Sequence, residues 1–350
     1  MLTIGLDTHL RTFSLHILDG QGNTVKSVTR RGDWRVLLEE LGRIEQPFRI
    51  VYEASCGYGH LYEKLRGVAR RVLVAHPGRL RLIFRSKRKN DRVDAQKLAM
   101  LGHLDQVPQV HVPPPEVRAW RELIEFRRRS VDKRTRVKNQ IRTLLRTYGL
   151  SAPREVGGLW SVKGLAWLGQ VAWPSSTAAL RCQMLLEELE QADVRVARLT
   201  AELDRIAQGH AGVALLRSIP GVGPRTAEAV MAYIDDPQRF ARSKRIGAYF
   251  GLVPCQDSSA GVNRLGHITK EGPGTARKLL IEAVWQGIRR SEHLRGYFQR
   301  IAGGKAERRK IALVATAHHV LRCMLAMLKS GETWNPAPGM RDDALERQAA

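Results

Sequence analysis

The sequence predicts an α/β domain followed by an all-α remainder, and three observations carry that reading. Over the first third, short β-rich runs alternate with helically spaced segments. Two long helices with continuous apolar stripes fill the middle, and a Pro-Gly-Val-Gly hairpin between two short helices opens the last third. At 350 residues the chain is long enough for two or three domains.

In order, LTIGLD, TFSLHIL and TVKSVT read as three short strands, separated by turn residues such as Asp19-Gly20 and Gly22-Asn23. DWRVLLEELGRI has helical spacing and FRIVYEA is a buried-looking strand. A helix over His60 to Val68, the strand RVLVAH and a helix from Asp91 onward follow. The order βββ-α-β-α-β-α describes a mixed sheet with helices packed on it. Pro113-Pro114-Pro115 closes this domain, 1–114, as a stiff linker.

Residues 115–210 read as a basic helix and a coiled-coil region. Trp120, Leu123, Ile124, Val131, Val137, Ile141, Leu144 and Leu145 keep a helical stripe, and between Arg118 and Arg146 eleven Lys/Arg face three acids. GGLWSVKGLAWLGQVAWPSS reads as a Gly/Trp/Pro-rich connection. Beyond it Cys182, Leu185, Leu189, Ala192, Val196, Leu199, Leu203 and Ile206 step by three and four. That seam suits a pairing within the chain or a coiled coil between protomers.

Residues 211–335 open on LLRSIPGVGPRTAEAVMAYI, a helix-hairpin-helix pattern. Gly221 and Gly223 permit the tight backbone, and the amides at the second helix's start, beside Arg225, suit a phosphate. Residues 336–350 read as a disordered tail.

Net charge is +24, which points to nucleic acid. The four cysteines, Cys56, Cys182, Cys255 and Cys323, form no CxxC pair, so neither a zinc knuckle nor a disulfide framework is expected and a reducing cytosol fits. MLTIGLDTHLRTF has no basic region leading into an apolar one, and no apolar run reads as long enough to span a bilayer. The expectation is a soluble cytoplasmic protein without a membrane partner.

The chemistry concentrates near a charge reversal. Leu65 to Asn90 holds nine Lys/Arg and no acid, including Arg85, Lys87, Arg88 and Lys89; then Asp91 and Asp94 follow, three residues apart. Asn90 or Asp91 could cap a helix with acids in its first turn. Asp7 ends the first strand and Glu53 the fourth. Were those strands neighbours, both carboxylates would meet the Asp91/Asp94 pair at one rim of the sheet. Four clustered carboxylates call for cations, and oxygen ligands select Mg²⁺ or Mn²⁺ for phosphoryl transfer.

The set IGLDTH, VYEASCGYG and KNDRVDAQKLA resembles the RuvC-like domain of the DEDD transposases of the insertion-sequence one-ten family, close to the Piv-type invertases. SIPGVGPRTAEAV and IGAYFGLVPCQDSSAGVNRLGHITKEGPGTARKLLIEAVW resemble that family's C-terminal domain. The resemblance spans nearly the whole chain and implies an RNase H-like fold, a divalent metal and DNA recombination. The family's four metal-binding acids match Asp7, Glu53, Asp91 and Asp94. Its serine nucleophile falls on Ser259 in GLVPCQDSSAGVNRLG; Ala260 intervenes before Gly261, which leaves Ser258 as the second choice. Two smaller departures are Asn90, where the family commonly has Thr, and His9, where small or basic residues are usual. No sequence-local histidine partners the serine, so its activation would come from a metal or from Arg264 and Lys270.

The resemblance also implies a structured non-coding RNA, encoded beside the gene, that bridges donor and target DNA. Arg127, Arg128, Arg134 and Lys138 would hold phosphates of either nucleic acid, and the seam at 182–206 favours a dimer or tetramer. The expected activity is transposition of an insertion sequence through strand cleavage and exchange. The rivals are a metal-dependent Holliday-junction-resolvase-like nuclease, a site-specific invertase and a non-enzymatic DNA-binding remnant. His318-His319 sit on an apolar helix and read as core or surface histidines.

Overall fold

The computed structural model describes residues 1–83, 90–259 and 262–336. Arg85, Lys87, Arg88, Lys89 and all but the first residue of the expected tail lie outside the described residues. The chain divides into two compact units, Met1–Arg118 and Ala119–Ala350.

The first unit contains β1 (Leu2–Thr8), β2 (Thr12–Leu18), β3 (Thr24–Arg31), α1 (Trp34–Gly42), β4 (Phe48–Glu53), α2 (Tyr58–Leu65), β5 (Arg71–Ala75), α3 (Pro77–Ile83) and α4 (Asp91–His103). The sheet order is β3-β2-β1-β4-β5, with β1 antiparallel to β2 and β2 to β3, and β4 parallel to both β1 and β5. The strand period of two sorts the side chains onto two faces. Ile4, Leu6, Phe13, Leu15, Ile50 and Tyr52 join Leu37 and Leu41 of α1 and Leu61 and Leu65 of α2 in one core. On the other face Val51, Leu73 and Ala75 pack with Leu80 of α3 and Leu98 and Leu101 of α4. Helices thus cover both faces, as a sheet with parallel central strands requires.

Helix α3 was not expected from the sequence; proline is compatible with a helix's first residue, and Pro77 stands there. Helix α4 begins where it does because the Asn90 side chain accepts a hydrogen bond from the Arg92 amide (3.0 Å), satisfying one orphan donor of the first turn.

The chain continues with α5 (Pro115–Thr147), α6 (Val162–Gln170), α7 (Ser176–Gln208), α8 (Ala211–Leu216), α9 (Pro224–Ile234) and α10 (Lys244–Tyr249). The hairpin β6 (Pro254–Ser259) and β7 (Val262–Ile268) follows, then α11 (Gly274–Arg290), α12 (Glu292–Ala302) and α13 (Arg309–Ser330). The supposed connection holds α6, whose start is capped by Ser161 accepting from the Gly164 amide at 3.1 Å. Helices α5 and α7 pair within the chain. Arg127 Nε donates to Thr200 Oγ1 (2.8 Å) and Arg134 pairs with Asp193 (3.1 Å), so sequence numbers rise along one helix as they fall along the other, an antiparallel arrangement. Val137, Ile141 and Leu145 of α5 meet Leu189 of α7 and Leu168 of α6.

The expectation that no apolar run is long enough to cross a bilayer fails at residues 306–330, which pass on length and composition. Their apolar character has another physical reason. Helix α13 is a core helix, burying Ala312, Ala317, Val320, Leu321, Met324 and Leu325 and packing on α8, α10, α11 and α12.

Candidate active site

The carboxylates follow from the pleat. Thr3, Gly5 and Asp7 alternate with Ile4 and Leu6, so Asp7 projects from the face that α4 covers. A side-chain carbon at Gly5 would overlap the Ala95 carbonyl oxygen and the Ala99 amide nitrogen. Backbone contact of this closeness seats α4 directly on β1, its first turn directed toward Asp7. On β4, Val51 packs against α4 while Ile50 and Tyr52 face away, which puts Glu53 on the α4 side too. Parallel pairing matches Gly5 with Val51 and Leu6 with Tyr52, so Asp7 and Glu53 are next in register. From the carboxyl ends of these two strands the chain departs in opposite directions, the usual place for a site in an α/β sheet.

The electrostatics report the same gathering. Burial pushes the Asp7 carboxyl above its ordinary value; His9 opposes this, and the charges of Asp91, Asp94 and Glu53 add to it. His9 Nε2 lies 3.6 Å from Asp7 Oδ2 and 3.4 Å from Asp91 Oδ2, and one ligand atom from each of the three residues lies within 4.8 Å of the others. Asp94 is also tied to Lys97 at 3.2 Å. A half-buried carboxylate among three others suits a divalent cation, because opposite charge relieves both the repulsion and the desolvation cost. The carboxylates of Asp7 and Asp91 and the His9 imidazole are donors that fit such an ion.

In the second unit the expected serines stand on the backbone of strand β6. Ser258 is opposite Asn263 and Ser259 opposite Val262, while Arg264 is opposite Asp257. Ala260 and Gly261 lie outside the described residues.

Two family models match in order: a DEDD transposase model over residues 4–150, and the transposase model of the IS116/IS110/IS902 family over residues 213–299. The chain belongs to this transposase family. Its members are enzymes that cleave and recombine DNA. The "Probable family 20 transposase" of Pseudomonas aeruginosa is 29% identical over 345 residues, covering 95% of this chain and 98% of its own length. The transposase for insertion sequence element IS1111A of Coxiella burnetii is 32% identical over 237 residues, 67% of this chain and 64% of the relative. The transposase for insertion sequence element IS1328 of Yersinia enterocolitica is 26% identical over 324 residues, 90% of this chain and 92% of the relative.

The family's second matched segment includes the predicted hairpin. The helix–turn–helix of α8 and α9 is present, but the structure gives Gly221 a packing role. Its φ is +89°, and an added side-chain carbon would strike the backbone of Ala283 and Gly287 on α11. Gly223 is exposed at the start of α9. Arg225 is turned inward, paired with Asp204 of α7 and with Glu228 at 3.2 Å. On α5, Arg127 and Arg134 bind α7, Arg128 pairs with Asp132, and Lys138 lies 5.1 Å over the Trp160 ring. The exposed cations of α5 include Arg129, Arg136 and Arg146, which sequence reading passed over. Arg264 and Lys270 are exposed, Lys270 with φ +55°. His9 was noticed in the sequence only as a departure; its place two residues after Asp7 was the available signal for a shared face.

Proposed function

We propose that this family member cuts and exchanges DNA strands for transposition of an insertion sequence, using a divalent-cation site of Asp7, Glu53, Asp91 and Asp94 together with the hydroxyl of Ser259. One observation carries the reading: strand alternation, parallel register and the close seat of α4 on Gly5 all direct the four carboxylates to one rim. Bound Mg²⁺ or Mn²⁺ would supply charge stabilisation to the attacking and leaving oxygens.

The carboxylates hold that charge in place, and Asn90 fixes the turn that carries two of them. The Ser259 oxygen forms a bond to a backbone phosphorus while a phosphorus–deoxyribose oxygen bond breaks. The hydroxyl proton is lost and the departing oxygen gains one. A second strand's hydroxyl then reverses the step and restores the serine, so exchange requires no external energy source. Exposed cations on α5 and on β7 would hold phosphates of DNA and of a structured RNA that bridges donor and target. Holding several strands at once favours an assembly of two or four protomers.

The test is to incubate purified protein, its flanking RNA and end-labelled donor and target DNA with Mg²⁺ and to look for a protease-sensitive covalent adduct. An adduct lost in Ser259→Ala and Asp7→Ala but kept in Ser258→Ala is expected. Cleavage that needs Asp7 and survives both serine changes would mean a water-using nuclease. DNA binding with no divalent-dependent cleavage would mean a non-catalytic protein.

A further inference from the structure

His9 sits where none of the four family carboxylates is expected, yet it belongs to the tight cluster of possible ligand atoms among the described residues. Its Nε2 approaches Asp91 Oδ2 at 3.4 Å and Asp7 Oδ2 at 3.6 Å. Both separations exceed a well-formed hydrogen bond. They are closer to the edge of an octahedral shell, where bonds of roughly 2.1 Å put neighbouring ligand atoms about 3 Å apart. A closure of a few tenths of an ångström would let one cation replace both longer contacts.

The backbone that carries the ring is fixed. The His9 amide donates to the Thr12 carbonyl at 2.8 Å, closing the β1–β2 hairpin, and Thr8 pairs with Phe13 in the ladder. His9 follows the last residue of β1, and its Nε2 contacts put it on the side that carries Asp7 and Asp91. Packing does not account for this orientation: the His9 side chain is 46% exposed, open to solvent on one side while its Nε2 turns toward two acids.

We infer that His9 is a protein ligand of the divalent cation, giving the site an imidazole–carboxylate donor set that selects Mn²⁺ over Mg²⁺. The inference rests on the carboxylate-site reading above and adds a residue and a preference to it. Carboxylates suit Mg²⁺ and Mn²⁺ alike, whereas imidazole nitrogen favours first-row transition ions, so the nitrogen is what separates the two.

The experiment uses full-length protein and Mn²⁺ alone. Free Mn²⁺ is measured by its electron paramagnetic resonance signal, bound Mn²⁺ by pulsed measurement of nitrogen-14 modulation, and Mg²⁺ affinity by competition. The wild type should show imidazole nitrogen modulation, and His9→Gln should lose it. His9→Gln should also weaken Mn²⁺ at least about tenfold, the smaller loss seen when even an outer partner of a metal ligand is removed. Mg²⁺ affinity should move much less. His9→Asp, which returns an oxygen donor to the same place, should bind Mn²⁺ without the modulation and with a reduced Mn²⁺/Mg²⁺ preference. It also carries the test if His9→Gln fails to fold by circular dichroism.

Mn²⁺ binding that depends on Asp7, but shows no nitrogen modulation in the wild type, would overturn the role of His9 and leave the carboxylate site standing. Modulation persisting in His9→Asp would assign the nitrogen elsewhere and overturn it too. Mn²⁺ binding no tighter in wild type than in Asp7→Asn would remove both readings.

Discussion

Gly5 shows how much of the site rests on one missing methyl. Its neighbours across the contact are backbone atoms of α4, the Ala95 carbonyl oxygen and the Ala99 nitrogen, which cannot rotate away. Gly5→Ala must therefore push the helix off the strand, at a cost of about 1–3 kcal/mol for overpacking. Because Asp91 and Asp94 ride on the same helix, divalent-cation affinity should fall with stability. Gly42, at the end of α1, is a control: an added carbon there meets nothing within 4 Å. Urea unfolding and a cation titration on both variants would check this. A Gly5→Ala protein as stable as the wild type, with unchanged cation affinity, would mean that α4 is not seated on β1 as described.

At the scale of elements, helices α5, α7 and α9 converge on a buried charge cluster. Glu228 of α9 is almost wholly buried, and desolvation pushes its carboxyl up to about 7 despite the nearby guanidinium groups of Arg225 and Arg127. Its folded value lies above its unfolded one, so its stabilising contribution is fully present below the ordinary glutamate range and lost as pH rises through about 7. A carboxyl held that far above its ordinary value is worth about 3 kcal/mol at most. The wild-type melting temperature should therefore drop between pH 5 and 8 by more than that of Glu228→Gln, where Arg225 keeps Asp204 as a partner. Equal slopes in the two proteins would show that Glu228 does not titrate in this window. None of this was legible in the sequence, where Arg225 beside a Pro-Gly-Val-Gly turn suggests a phosphate ligand. Its partner Asp204 lies 21 residues earlier on α7, and only the folding of α7 beside α9 brings the two together.

For the whole molecule, what could be read in advance was local and what could not was tertiary. The βββ-α-β-α-β-α order and the positions of Asp7, Glu53, Asp91 and Asp94 follow from periods of two and 3.6 and from the Asn90 cap. Helices α3 and α6 were hidden by Pro-Gly and Gly/Trp composition, and the choice of free cations on α5 depended on where the acids of α7 would land. That last point governs how a chain of net charge +24 meets nucleic acid. Arg127 and Arg134 are engaged by Thr200 and Asp193, so replacing either with Gln should lower stability while changing DNA binding little. Arg129 and Arg136, seven residues apart on one exposed flank, have the reverse profile. Each phosphate contact contributes about 0.9 to the slope of log affinity against log salt on duplex DNA. Replacing Arg129 and Arg136 with Gln should flatten that slope by up to about 1.8 without shifting the melting temperature. Fluorescence anisotropy on a non-specific duplex over a salt series measures the slope directly. A slope lowered by Arg127→Gln and Arg134→Gln, and left intact by Arg129→Gln and Arg136→Gln, would mean that α7 moves off α5 when DNA binds.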